Sequence, residues 1–304
     1  MMFTILASIQ AASQQGSNPI LQALIGQTTD DANRTSVMAM IRSIRNVGFS
    51  LGALAAAPLI ATTDLWVNRG VMIGTGVAIG VAGMLLYFVK QTRNGIKVRA
   101  ASPFAGLKSV GDLRYLRLAG FNGILSLHMT MLSVGFPLWI ASRADISHSM
   151  ASVVLAVNTV IVVGAQIWFA KGANSNSGAR RALYLGAGAL AASCVMMAVA
   201  GMVGTNTAII MLLVAVGIFT AGEMWHSAGS WELSFRLAPE EKRSSYLSVY
   251  ALGAAAQDAV GPLLFVGLVL PNGELGWLGL AGLFLLAALG ATSQAHTMDR
   301  PREG

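Results

Sequence analysis

Apolar residues run almost unbroken through nine stretches of the chain, near residues 3–26, 37–60, 70–89, 115–140, 149–170, 181–203, 207–235, 246–270 and 275–294, with short polar turns between them. A helix needs about 20 residues to cross roughly 30 Å of hydrocarbon. Inside lipid every backbone N–H and C=O must find its partner within the protein, so runs of this length predict membrane-spanning α-helices. Two of the polar breaks repeat each other. Arg34 follows the acidic turn Asp30-Asp31 and precedes Gly52, while Arg243 follows Glu240-Glu241 and precedes Gly261 at the same spacing. One helix-turn-helix unit therefore occurs twice, offset by 209 positions (34 to 243).

A repeat of this kind predicts two parallel half-bundles related by an axis along the membrane normal. The stretches at 207–235 and 246–270 would be the fourth and fifth helices of a second half that starts near residue 115. Their counterparts are the first two stretches of the chain. The same offset places the start of a complete first half before Met1, with room for three more helices, so the expectation is spans four to twelve of a twelve-span protein. The organisation expected is residues 1–89 as the remainder of the first half, 90–114 as a basic linker, 115–295 as the second half and 296–304 as a tail.

Composition agrees with a bilayer protein, at 55% hydrophobic and 11% charged residues. Cytoplasmic loops retain an excess of Lys and Arg. With the turn at 27–36 inside, the basic residues fall on the inner face except Arg69 and Arg143, and the C-terminus is cytoplasmic. Linker residues 90–114 hold much of the net charge of +7, which reads as a topology determinant against anionic lipid and not as a nucleic-acid surface. Cys194 is the lone cysteine, which leaves no disulfide, zinc cluster or redox pair to build. Nucleotide-binding loops and the serine-nucleophile elbow are also missing, so the sequence offers no catalytic residues and no cofactor.

Ionisable groups at mid-bilayer are costly and usually face a cavity or a partner. Glu223 lies near the middle of the stretch 207–235, with His226 at i+3 on the same face. The repeat offset maps Glu223 to Gln14. These residues read either as a protonatable pair in a cavity between the halves or as structural hydrogen bonds between helices. Asp258, beside Gln257, reads either as a proton or cation site or as a helix-pairing carboxylate. Glu232 lies nearer the cytoplasmic end and is expected to reach interfacial water. Asn122, Ser126, Met129 and Ser133 recur on one helical face, with His128 directed about 120° away. Asn158, Thr159 and Gln166 add polar groups on the next helix. The Gly48/Gly52 and Gly76/Gly80 pairs are spaced to bring backbones together.

The segment Leu237-Ala-Pro-Glu-Glu-Lys-Arg243-Ser-Ser-Tyr246, followed by Gly261-Pro262, resembles the link between spans ten and eleven of the major facilitator superfamily. Phe136-Pro-Leu-Trp139, then Asn158-Thr159 and Gln166, resembles spans seven and eight of its bacterial efflux-type members. Asn18-Pro19 and Arg34 leading to Gly48-Phe-Ser-Leu-Gly52 resemble spans four and five. The loop 171–181 keeps Gly178, Arg180 and Arg181 of the family pattern and lacks its acid. Ala12-Ser-Gln-Gln15-Gly16 lacks the arginine of drug/proton antiporters, and Gly52-Ala53-Leu-Ala-Ala56-Ala57 lacks their proline.

The resemblance implies an all-α fold of the two-half type, with about nine of twelve transmembrane helices, in the cytoplasmic membrane. It implies a secondary transporter of small molecules that works by alternating access. Efflux is the leading reading; uptake of a metabolite by the same fold and a non-functional truncated fragment are the alternatives. The implied partners are the lipid bilayer and a small-molecule substrate, with the proton as candidate coupling ion and with no nucleic acid, cofactor or metal. Glu223, His226, Asp258, Gln257, Gln14, Asn122, Ser126 and Ser133 are the expected cavity and coupling residues. Arg34, Arg243, Gly178, Arg180 and Arg181 are the expected cytoplasmic gate.

Overall fold

A computed structural model describes Ile25 and residues 29–60, 65–88 and 111–299, and among these it contains helices and no strand. The first two helices are α1 (Asp31–Ile60) and α2 (Leu65–Phe88). Six more follow: α3 (Leu113–Ser142), α4 (Met150–Ala170), α5 (Asn176–Ala200), α6 (Thr205–Arg236), α7 (Glu240–Val269) and α8 (Gly273–Asp299). Among the described residues, α3 to α8 are long and apolar enough to cross a bilayer. Apart from Ile25, the expected stretch at 3–26 lies outside the described residues, as do Gln14 and most of the linker.

The described residues form two compact units. One comprises those up to Ser43 together with those from Gly111 onward, and the other those from Ile44 to Phe88. In the smaller unit the guanidinium of Arg69 lies over the Trp66 ring, 5.2 Å from its centroid. Nothing stands within 4 Å of where a side chain would begin at Gly48, Gly52, Gly76 or Gly80. The backbone contacts expected of these glycines are therefore not made among the described residues, because a glycine pair shortens a contact only where a second helix faces it.

In the larger unit, helix starts follow from local chemistry. The Asp112 carboxylate accepts from the N–H groups of Arg114 and Tyr115 and caps α3, and Ser175 caps α5 by accepting from the N–H of Gly178. Prolines distort two spans. Pro137 and Pro262 cannot donate to the preceding turn. Close to each the helix widens into a π turn, at Met131–Gly135 in α3 and Phe265–Val269 in α7, with the Leu270 N–H on the Phe265 carbonyl at 3.0 Å.

α6 is buried along most of its inner half and packs on α4, α5 and α7. α5 packs in turn on α8, α8 on α3, and α3 on α7. Glycines set the closest approaches: a Cβ on Gly123 of α3 would lie 2.6 Å from the Gly253 carbonyl of α7, and one on Gly229 of α6 would lie 2.6 Å from the Ala179 carbonyl of α5. Phe136, Phe219, Phe265 and Trp277 interlock where α3, α6, α7 and α8 converge, with ring centroids 5.3 to 6.3 Å apart. Outward-facing residues such as Val160, Ile210, Leu263, Leu268, Leu286 and Leu289 are exposed. In water such a belt would be an aggregation hazard; in a bilayer it is the surface that meets acyl chains.

Candidate functional site

Two polar networks lie inside this apolar bundle, and both are organised by α6. The first surrounds Glu223. Arg42, eleven positions after Asp31 in α1, forms an ion pair with one carboxylate oxygen of Glu223 and also donates to the Ser227 hydroxyl. Asn158 of α4 donates to the other carboxylate oxygen at 2.8 Å and to Thr220 at 3.0 Å. Ser227 and Thr220 pass their own hydrogens to carbonyls one turn back in α6. Glu223 is thus buried, neutralised and hydrogen-bonded on both oxygens, as a buried carboxylate must be.

The second network starts at His226. Its Nε2 lies 3.1 Å from the Asn122 side-chain oxygen, an acceptor, so Nε2 carries the hydrogen. Its Nδ1 lies 3.0 Å from Nε2 of His128, so in the neutral pair His128 is the donor. Ser230 gives its hydrogen to the same Asn122 oxygen at 2.8 Å and receives one from the Tyr250 hydroxyl at 3.1 Å. Every direction in this chain is fixed by its acceptors. Within this network, His128 Nδ1 alone is buried without a partner.

Glu223 and His226 share a face of α6, but each turns to its own neighbours: Glu223 to α1 and α4, His226 to α3. His128, expected to point away from the Asn122 face, belongs to the same network as Asn122. α3 re-registers at Ser126, and His226 reaches across to both side chains. Asn122 and Ser126 are buried, whereas Met129 and Ser133 are exposed, with the Ser133 hydroxyl donating to the Met129 carbonyl. Gln257 is buried and accepts from Thr130 at 2.8 Å, while its amide hydrogen goes to the exposed Asp258 carboxylate.

Glu232 corrects the expectation of contact with interfacial water, because it is 0% exposed. Thr35 of α1 donates to it at 3.0 Å and Arg236 at 2.8 Å. Between the two ties from α1 to α6, Ala39 joins Ala170, Ala173, Ala182 and Ala228 in a small apolar cluster against Trp225 and Trp231. Gln166 is also 0% exposed, and neither its amide nitrogen nor its oxygen has a partner.

The expected gate residues sit in the first turns of their helices, beside the connections. Arg243 pairs with Glu240 at 3.6 Å and lies over the Phe235 ring at 4.1 Å. Arg180 meets Nδ1 of His296 at 3.1 Å, and Arg181 is exposed. A Cβ on Gly178 would collide with the Gly172 carbonyl, so only glycine fits at the start of α5. The backbone of Arg34 runs in α1, and its side chain lies outside the described residues.

At the opposite end, Arg143 forms two 2.9 Å hydrogen bonds to Asp145 and reaches the Ala200 and Val203 carbonyls. Thr205 adds a 2.5 Å hydrogen bond to Asp145. The hydrogen bonds from Arg143 and then Thr205 hold the Asp145 carboxyl well below the usual carboxylate range. Arg143 also lies over Trp139, as Arg69 does over Trp66.

A sequence profile described as Major Facilitator Superfamily matches residues 1–262. The chain belongs to this superfamily. Two curated members resemble it along most of its length. It is 22% identical over 272 residues to the Escherichia coli (strain K12) protein described as uncharacterized MFS-type transporter YdeE, covering 89% of this chain and 65% of that one. It is 24% identical over 303 residues to the Bacillus subtilis (strain 168) protein described as uncharacterized MFS-type transporter YhjO, covering 98% and 71% respectively. As a superfamily member with six apolar, bilayer-length helices among its described residues, it is a multi-pass membrane protein.

Arg42, Thr35 and His128 are among the participants that the sequence does not single out. Arg42 falls within the expected span 37–60, where hydropathy groups it with the loop charges; a charge between Ile41 and Ile44 inside a span is the available signal. Thr35 gives no signal of its own. For His128, an unbroken helical phase points the ring away from Asn122, and the break at Ser126 does not obey that phase.

Proposed function

We propose that this superfamily member is a secondary transporter that moves small molecules by alternating access, in the efflux direction, across the cytoplasmic membrane with its C-terminus inside. The supporting observation is the pair of polar ties from α1 to α6, Arg42 to Glu223 and Thr35 to Glu232. On this reading α1 belongs to the first half-bundle (residues 1–89) and α6 to the second (115–295), joined by the linker 90–114, so the ties hold the halves together at one face. Polar side chains with small, alanine-rich packing between them suit a contact that must open and re-form. A buried apolar seam would not release so readily. The tryptophan-backed Arg69 and Arg143 support assigning those connections to the outer interface, where amphipathic rings accumulate.

Asn122, Ser126, Gln14 and His226 are proposed to line the pathway between the halves. Glu223 and Asp258 are proposed as the acidic residues of coupling or cation contact, with Gln257 beside Asp258 and Ser133 on the cavity wall. Arg34, Arg243, Gly178, Arg180 and Arg181 are assigned to the cytoplasmic helix starts that shift as the gate opens.

The test is flux in membrane vesicles. A fluorescent lipophilic cation, driven by an imposed proton gradient, is expected to accumulate in inverted vesicles containing the protein, and Glu223→Gln is expected to flatten the pH dependence of that flux. Accumulation in right-side-out vesicles instead would reverse the direction. Gradient-driven flux with the wild-type pH profile in Glu223→Gln would remove the coupling role of that carboxylate.

A further inference from the structure

Four imidazole nitrogens meet in the second network, and three are committed. His226 Nε2–H donates to Asn122, and His128 Nε2–H donates to His226 Nδ1. The remaining nitrogen, His128 Nδ1, has an open lone pair, is buried and has no partner. An unpartnered polar atom in a protein interior is costly, and its persistence calls for a ligand that arrives at some stage of the working cycle. The ring is otherwise packed edge-on against Phe219 and His226. The atom that completes an imidazole lone pair in so small a space is hydrogen.

The surroundings decide when it arrives. Arg42 is within electrostatic reach of both rings, and Glu223 within reach of His226. The remaining titratable groups facing the pair are few. α7 brings Tyr250, through Ser230, and Asp258, held by Gln257; α5 brings Cys194, against Met131 of α3. α3 has none at that depth, and α8 carries Glu274, His296 and Asp299 only near its ends. With Arg42 on Glu223, the cluster is neutral while both histidines are neutral. If Arg42 withdraws, one buried negative charge is left unbalanced. Glu223 retains the 2.8 Å hydrogen bond from Asn158. His128 Nδ1 loses no hydrogen bond on gaining a proton.

We propose that the His128–His226 pair is a proton-binding site, and that it takes up one proton at His128 Nδ1 as Arg42 parts from Glu223. This rests on the alternating-access reading for the parting itself. A hydronium ion gives its proton to Nδ1 and leaves as water; the new N–H bond makes an imidazolium whose positive charge balances Glu223. The shared N–H···N bond then spreads that charge over both rings. Return of Arg42 expels the proton. Closure of the gate and proton release are one event.

The experiment uses the full chain carrying H148Q and H296Q, so that the pair supplies the only imidazoles. It is labelled with ¹⁵N-histidine, placed in neutral-lipid bilayers and followed by solid-state NMR from about pH 5 to about pH 9. Adding R42Q is expected to raise the pH of imidazolium formation by at least about one unit, a tenfold gain in proton affinity. If R42Q does not fold, E223Q, which removes the balancing anion, is expected to shift formation at least as far the other way. Both rings staying neutral across the range in R42Q would overturn the proposal. So would a protonated-carboxyl infrared band that disappears in E223Q. Proton uptake without solute flux would leave this site standing and remove the transport reading; flux without imidazolium formation would do the reverse.

Discussion

Arg42 and Glu223 are each other's main compensation in an apolar interior, and their value lies in the asymmetry between losing one and losing both. Removing one partner of a buried pair typically costs about 3 to 5 kcal/mol because the other is stranded, whereas removing both costs much less. R42Q and E223Q are therefore expected each to lower the unfolding temperature in detergent, with the double variant falling well short of their sum; additive losses would mean that the two side chains do not act as a pair. Gln166 makes the opposite prediction. Its amide is buried with nitrogen and oxygen both unpaired, and an unmet group of this kind costs about 1 to 3 kcal/mol. Q166L, close in shape and without polar atoms, is expected to raise the unfolding temperature, and a fall would show that the amide is satisfied in the membrane. Glu223, His226, Asn122 and Gln257 stood out in the sequence because polar atoms in apolar runs are conspicuous. Their partners did not, since a hydrogen bond between positions 42 and 223 or 128 and 226 depends on helix rotation and tilt, which hydropathy does not encode.

Elements were more legible than partners. Long apolar runs and their polar punctuation placed the helices α3 to α8 within a few residues, because chain length against bilayer thickness is a one-dimensional constraint. What escaped was their irregularity. Pro137 and Pro262 announce a lost hydrogen bond, but whether the helix kinks or widens is settled by the neighbour, and here the two π turns come together where Phe265 lies over Gly135. Close contacts escaped for the same reason: the glycine pairs with helix-packing spacing are open, while Gly123 and Gly253, far apart in sequence, touch. G123V is thus expected to destabilise the bundle by about 1 to 3 kcal/mol through overpacking against α7. Gly164, with open space around it, provides the control, and G164V is expected to leave the melting temperature nearly unchanged.

Taken as a whole, the larger unit is fastened differently at its two ends. At one, Arg143, Asp145 and Thr205 clasp the turn after α3 to the turn before α6. Folding lowers the proton affinity of Asp145, so its stabilisation is complete above the unfolded value of about 3.9 and fades as pH drops below it toward the folded value. Melting of wild type and D145N is expected to differ by a constant amount near neutrality and to converge in acid; a gap that persists in acid would show that the carboxylate is not the stabilising species. At the other end the fastening is uneven. α5 and α6 touch backbone to backbone at Gly186, Gly222 and Gly229, whereas α1 meets α6 through two side-chain ties and a few alanines. Under mechanical load, such as a pulling probe or the lateral pressure of a curved bilayer, the molecule should therefore yield along the flank of α1, while α5 and α6 travel together as one stiff beam.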